Sequence, residues 1–254
     1  MNVRRIMTSL SMILRMLFRR RIVLILLVVI PIVFFSVVAI TTSIQKVPFR
    51  IASMNGKVFI LASEKHMALV FFAVAIAGFL MSFLAMNLIQ KNSTINRRLM
   101  VCGYHPLELL LSNLLALTLM ILMISVYVGL LTAAFFHVSH PGMMIFSLAL
   151  TGFVYGGYGL AVGSLIAGEL EGILFIVLLA NIDAGWLQNP IFYAEAQNQA
   201  LIHYLPAFYP SQAAIIAAFT DYSGLNASLN SLWYGLGFLA FSMLIFVIKM
   251  RIRK

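Results

Sequence analysis

The stretch Ile22–Ile44 is 23 residues long and holds no charged side chain. As a helix it would run about 34 Å, enough to cross a hydrocarbon layer of roughly 30 Å with some tilt. Pro31 within it predicts a kink. Arginines precede the run, as in a signal peptide. A signal's apolar region is only about 7–15 residues, however, and no small-residue cleavage site follows, so the run reads as a retained span. Five more apolar runs follow at 67–89, 107–136, 143–167, 172–187 and 228–248. Composition gives the same reading: 63% of residues are hydrophobic and 9% charged, whereas a soluble surface alone needs about 25% charged residues. The chain reads as an all-α polytopic membrane protein, one domain with six transmembrane helices.

Basic residues orient the spans. A net charge of +10 would point to nucleic acid in a soluble protein; here it predicts cations gathered at one membrane face, beside anionic lipid, and no nucleic-acid partner. With the amino terminus inside, six Lys and Arg lie in residues 1–21, three in the loop after the second span and four at the carboxyl terminus. The outer side has four, all in the first loop: Lys46, Arg50, Lys57 and Lys65. Both termini are therefore expected in the cytoplasm. In residues 1–21, Ile6, Leu10, Ile13, Leu14 and Leu17 recur at helical spacing beside Arg4, Arg5, Arg15, Arg19, Arg20 and Arg21, the pattern of an amphipathic helix lying in the interface or of a positive flank to the first span.

Three connections stand out. In the first outer loop, the alternating KVFILAS after Asn55-Gly56 reads as a hairpin. Residues 188–227 contain no Lys or Arg and are too apolar for a free loop. Two pieces in that segment, 194–205 and 211–219, look helical, too short to span, and separated by Pro206 and Pro210; they predict a re-entrant hairpin shielded by protein. Residues 90–106 place a compact polar and basic segment between two long apolar runs, so it must face water. In the fourth span Gly152, Gly156, Gly159 and Gly163 form a small-residue ridge for close helix packing. The one cysteine, Cys102, excludes an intrachain disulfide.

Taken in order, these features resemble the ABC type-2 permease family, the membrane subunits of bacterial exporters. The segment after the second span resembles the family's pattern of a polar stretch (Lys91–Thr94), a basic pair before a leucine (Arg97-Arg98-Leu99), a break (Gly103, Pro106) and a new span, LELLLSNLLA. Leu205-Pro206 with Pro210 resembles its signature before the last span. The family often has a Glu near the end of the second span where this chain has Gln90. The resemblance implies a bacterial plasma (inner) membrane subunit with a cytoplasmic coupling helix over 90–106. It also implies a second permease, identical or homologous, and two copies of a separate nucleotide-binding subunit that holds ATP and Mg. The chain has no GxxxxGK[ST] loop of its own. ATPase contact then falls to Gln90, Lys91, Ser93, Thr94, Arg97, Arg98 and Gly103, with Glu169 and Glu171 of the other inner loop as a second contact; the alternatives are positive-inside residues and a solvated turn.

Asp183 lies near the outer end of the fifth span, where a carboxylate at membrane depth costs roughly 2.5–3.5 kcal/mol on insertion scales. It is a candidate for the outer gate or translocation path, or else it reaches water beside Trp186. Tyr155, Tyr158 and Phe175 either line an apolar cavity or pack helices. Glu195, Pro206 and Pro210 belong to the re-entrant segment. His66, His137, His140 and His203 share the outer side but lack a supporting Cys or carboxylate pattern for zinc. No catalytic, cofactor or metal residues are expected. A rhomboid-like protease would need a span serine in GxSG and a span histidine; Ser164 sits in GSLIAG and no histidine falls within a run. An ATP-independent carrier or channel would need ionisable residues near the midplane, absent from spans 1 to 4 and 6; a haem-export or assembly permease is the further alternative. The scarcity of polar groups in the spans favours an amphipathic or apolar cargo such as a drug, a peptide antibiotic or a lipid.

Overall fold

A computed structural model describes residues 3–51, 59–166 and 168–252. Helix α1 (Val3–Phe18) is followed by α2 (Arg21–Thr41), a two-stranded ribbon of β1 (Lys46–Arg50) and β2 (Phe59–Ser63), and the long α3 (Glu64–Val101). Then come α4 (Pro106–Phe135), α5 (Pro141–Leu165) and α6 (Glu169–Ile182), which passes into a π-helical turn, Asp183–Leu187. Three short helices, α7 (Pro190–Glu195), α8 (Gln199–His203) and α9 (Phe208–Phe219), precede α10 (Leu225–Ile252). Among the described residues six helices are long and apolar enough to cross a membrane, and the chain is a multi-pass membrane protein by that architecture.

Helices α3 and α5 form the centre. Their apolar windows are 72% and 78% buried, against 17% for α2, 28% for α6 and 22% for α10. The glycine ridge of α5 explains the pairing. A Cβ on Gly159 would collide with the Ser82 carbonyl oxygen, and one on Gly163 would come within 2.9 Å of the Met86 carbonyl oxygen. Backbone therefore meets backbone, the approach that small residues permit between membrane helices. Leu69, Met81 and Leu148 are fully buried along this seam. The outer helices leave large apolar side chains such as Ile25, Leu174, Phe175 and Trp233 exposed, as a hydrocarbon solvent allows.

The ribbon pairs antiparallel from Lys46↔Ser63 to Arg50↔Phe59. It is held to the bundle by Phe49, whose ring lies 5.7 Å from that of Phe219. The Asn55-Gly56 turn and Lys57 lie outside the described residues.

Three expectations about helix boundaries are corrected. The polar segment 90–106 is not a separate helix: residues 90–101 continue α3. Nothing in QKNSTINRRLMV breaks a helix, so the chain leaves the apolar stretch without leaving the helix. The piece 194–205 is not one helix either. It divides into α7 and α8 because Asn198 caps a new start, its side-chain oxygen accepting from the Leu201 N–H at 3.3 Å. Helix α9 starts earlier than the 211–219 piece, at Phe208, with Pro210 in its first turn, where proline's missing N–H costs nothing. Its residues Pro210–Ala218 are all buried.

Candidate functional site

The predicted functional residues fall at opposite ends of the bundle. At the end where α1 lies, α3 stops at Gly103, whose φ of +86° suits glycine. The Gly103 N–H donates to the Met100 carbonyl at 3.0 Å and the Tyr104 N–H to Leu99 at 3.1 Å, the paired bonds of a Schellman stop. Two residues later α4 begins. The His105 ring Nδ1 accepts from the Leu107 N–H at 3.3 Å, Pro106 takes the first helical position, and the buried Glu108 accepts from the His105 N–H at 3.2 Å.

Helix α1 is bound to this elbow. The Arg5 guanidinium donates to the Gly103 carbonyl at 2.8 Å, lies 5.4 Å from the centre of the Tyr104 ring and sits 4.0 Å from Glu108. One turn on, the Ser9 and Ser112 hydroxyls share a buried hydrogen bond of 3.0 Å. The buried face of α1 is Ile6, Ser9 and Ile13, while Arg4, Arg5 and Arg15 stay exposed.

The second tie joins α3 to the α5–α6 turn. The Gln90 amide nitrogen donates to the Ile166 carbonyl at 3.0 Å and lies 3.4 Å from that of Gly168. Carbonyls at a helix C-terminus have no partner within the helix, and an amide can serve them where a carboxylate could only repel them. The Gln90 amide thus has a use inside this chain, turned toward the α5–α6 turn rather than outward. Lys91 Nζ lies 2.8 Å from Glu169 Oε1. Sequence reasoning placed Lys91 and Glu169 in separate contacts, and the fold brings them together. Arg98 and Glu171 are exposed. The side chains of Ser93, Thr94, Arg97 and Glu195 lie outside the described residues.

At the opposite end the π-helical turn, closed by the Gln188 N–H to the Asp183 carbonyl at 3.3 Å, carries Asp183 inward, where it is 5% exposed. Its Oδ2 accepts from the Tyr155 hydroxyl at 2.6 Å and the Ala207 N–H at 3.0 Å, and its Oδ1 from the Gln188 amide at 3.2 Å. The Gln188 oxygen in turn faces the Ser211 hydroxyl at 3.5 Å. One carboxylate therefore ties α6 to α5 and to the start of α9, where the helix dipole also favours negative charge. Tyr158 packs edge-on to Tyr155 and Phe238; its hydroxyl is buried without a partner among the described residues. Phe175 is 44% exposed on α6, so the structure does not gather Asp183, Tyr155 and Phe175 around one path. Pro206 lies in the turn before Ala207, and Pro210 is buried in α9.

The histidines serve separate neighbours. His66 stacks on Phe136 at 4.8 Å, and His140 meets Asp221 at 3.0 Å. His203 hydrogen-bonds the Tyr193 hydroxyl at 2.9 Å, with its ring 4.0 Å from that of Phe208; burial lowers its pKa below the usual 6.5.

Sequence reasoning missed Arg5, His105 and Glu108 at the elbow, and Gln188, Ala207 and Ser211 around Asp183. The His-Pro-Leu-Glu run could have signalled a helix start, because an acid three residues after a capping side chain is a local pattern. The others are joined only by the fold. No family model matches the chain, and no curated protein matches it significantly.

Proposed function

We propose that the chain is the membrane-spanning permease subunit of an ATP-driven exporter of the ABC type-2 kind, forming half of a translocation pathway with a second permease. The observation that carries this reading is the reach of α3. It is central in the bundle, continues for residues 90–101 beyond its apolar stretch, is tied there to the α5–α6 turn, and ends at the Gly103 stop that Arg5 of α1 meets. Those twelve residues extend about 18 Å as a helix, a lever whose displacement must move the α3–α5 seam. In this reading the α1 end is cytoplasmic, α1 lies in the interface, and α7–α9 dip into the outer leaflet of a bacterial plasma membrane. Two separate nucleotide-binding subunits hold ATP and Mg and press on the α3 extension, and the two permease halves rock between inward- and outward-facing arrangements. The scarcity of polar side chains in the spans suits an amphipathic or hydrophobic cargo.

The test is recovery of the detergent-solubilised complex from cells producing the tagged chain. A P-loop ATPase should copurify in equal stoichiometry, and Arg97→Glu with Arg98→Glu should release it and stop transport while the chain still reaches the membrane. Transport by the isolated chain driven by an ion gradient would replace this reading with a carrier.

A further inference from the structure

Between α1, α2, α3 and α4 lies a partly open groove of about 190 Å³, edged at one point by the Lys91–Glu169 pair. Its floor is apolar, with Ile13 and Leu17 from α1, Leu84 and Leu88 from α3, and Met120 from α4. Its rim is not: Arg20, Asn87, Lys91 and Glu169 edge it. Along α3 the lining runs from Phe83 to Lys91, about 12 Å of helix, which is most of one leaflet's hydrocarbon depth. The groove therefore runs along α3 from Lys91 past Asn87 to Phe83, beside mostly apolar walls.

The charges on the rim are unequal. Lys91 and Glu169 neutralise each other at 2.8 Å. Arg20 is half-buried at the join of α1 and α2, and no acceptor side chain reaches it among the described residues. An unmatched guanidinium over an apolar slot, in a membrane-spanning protein, is complementary to a phosphate carrying an acyl chain. Basic pockets between spans hold anionic lipid headgroups by this same logic, and arginine's planar fork matches phosphate oxygens. A soluble anion would leave the slot empty, and a zwitterionic lipid would bring its own cation beside Arg20 along with its phosphate.

We propose that this groove is a binding site for an anionic glycerophospholipid, its acyl chain along Leu84 and Leu88 and its phosphate at Arg20. The lipid would complete the packing of α1 and α2 against α3, and it needs only that the chain spans a membrane, not that it works with an ATPase. The experiment is native mass spectrometry of the full chain in detergent, titrated with phosphatidylglycerol or with phosphatidylcholine of the same acyl chains. Phosphatidylglycerol should be retained about tenfold more tightly, because its headgroup leaves the phosphate charge at Arg20 uncompensated whereas the choline cation offsets it. Arg20→Gln should remove that preference, and Arg15→Gln, which deletes the same charge on α1 outside the groove, should keep it. Val23→Trp, which fills the groove mouth, should lower retention of both lipids in a chain shown by its thermal melt to be folded. Equal retention of the two lipids by the wild type would overturn the proposal. So would equal losses in Arg20→Gln and Arg15→Gln, full retention in Val23→Trp, or competition by glycerol 3-phosphate as strong as by the lipid.

Discussion

The two ends of the bundle solve the same problem, joining helices through polar groups, with opposite chemistry. At the α1 end the tie from α3 to the α5–α6 turn is a partly exposed ion pair, Lys91 with Glu169, side chains 34% and 52% exposed, while Arg5 meets Gly103 and the buried Glu108, and Ser9 meets Ser112 in a buried hydrogen bond. At the other end a single buried carboxylate, Asp183, takes hydrogen bonds from three elements. Exposed ion pairs contribute little to stability and rearrange easily, whereas removing the centre of a buried hydrogen-bonded cluster leaves its donors unsatisfied. The difference predicts a lower cost of rearrangement at the Lys91–Glu169 pair than at Asp183. On the exporter reading proposed above, a segment that transmits a push is expected to move against a far anchor that does not.

The largest expected effect comes from Asp183→Ala. It leaves the Tyr155 hydroxyl, the Ala207 N–H and the Gln188 amide without their acceptor, at a cost of about 3 kcal/mol or more. Thermal unfolding in detergent measures it, and an unfolding temperature equal to wild type would break the contrast at its rigid end. Asp183→Asn should fall between, because its amide group presents a donor where one of three donors needs an acceptor. Tyr155→Phe removes one donor and keeps the ring, so about 1 kcal/mol should be lost, in line with the modest worth of hydrogen bonds between membrane helices. A loss as large as that of Asp183→Ala would mean that the tyrosine, not the carboxylate, organises the cluster.

How far these ends were legible follows from what kind of information each needs. The six long helices were readable because length and apolarity alone decide them. The end of α3 was not, since polarity marks where the membrane stops, and helix formers such as Gln90, Lys91 and Arg98 carry the helix on until Gly103. The split between α7 and α8 depends on a single Asn198 cap in an otherwise helix-compatible run. Asp183 was conspicuous as an acid inside an apolar run, but its partners were not: Tyr155 is 28 residues away and Ala207 24, and no local pattern links them. The same holds for Arg5, 98 residues from the Gly103 carbonyl it meets. Gln90 reads as one of the ATPase contacts because only its position along the chain is legible; the Ile166 carbonyl it serves is set by the fold.

A smaller effect is expected at His203, also at the rigid end. Burial between Tyr193 and Phe208 favours its neutral form, so its folded pKa is lowered from 6.5. Below pH 6.5 the unfolded chain takes up a proton that the folded chain resists, so the stability this site contributes is intact above that pH and is lost as pH falls toward the lowered folded value. Unfolding temperatures of wild type and His203→Gln, compared between pH 8 and pH 5, should converge on acidification. A wild-type advantage that grows at low pH would show that the charged form is the one the fold prefers.

The smallest effect on stability is expected where the functional effect should be greatest. Lys91→Glu sets two carboxylates against each other at the α5–α6 turn, yet the pair it replaces is largely solvated, so unfolding should shift by no more than about 1 kcal/mol. Transport and ATPase association should nevertheless fall, because the α3 extension then repels the turn that must move with it. The reciprocal exchange, Lys91→Glu with Glu169→Lys, restores attraction with the charges traded. If the pair acts only to bind α3 to the turn, the double variant recovers transport. If Lys91 instead meets a partner subunit directly, the exchange keeps the fold and stays inactive, and the contact must be sought on that subunit's acidic surface. A stability loss in Lys91→Glu as large as in Asp183→Ala would erase the distinction between the two ends, since both would then be rigid anchors and the lever would have to lie elsewhere.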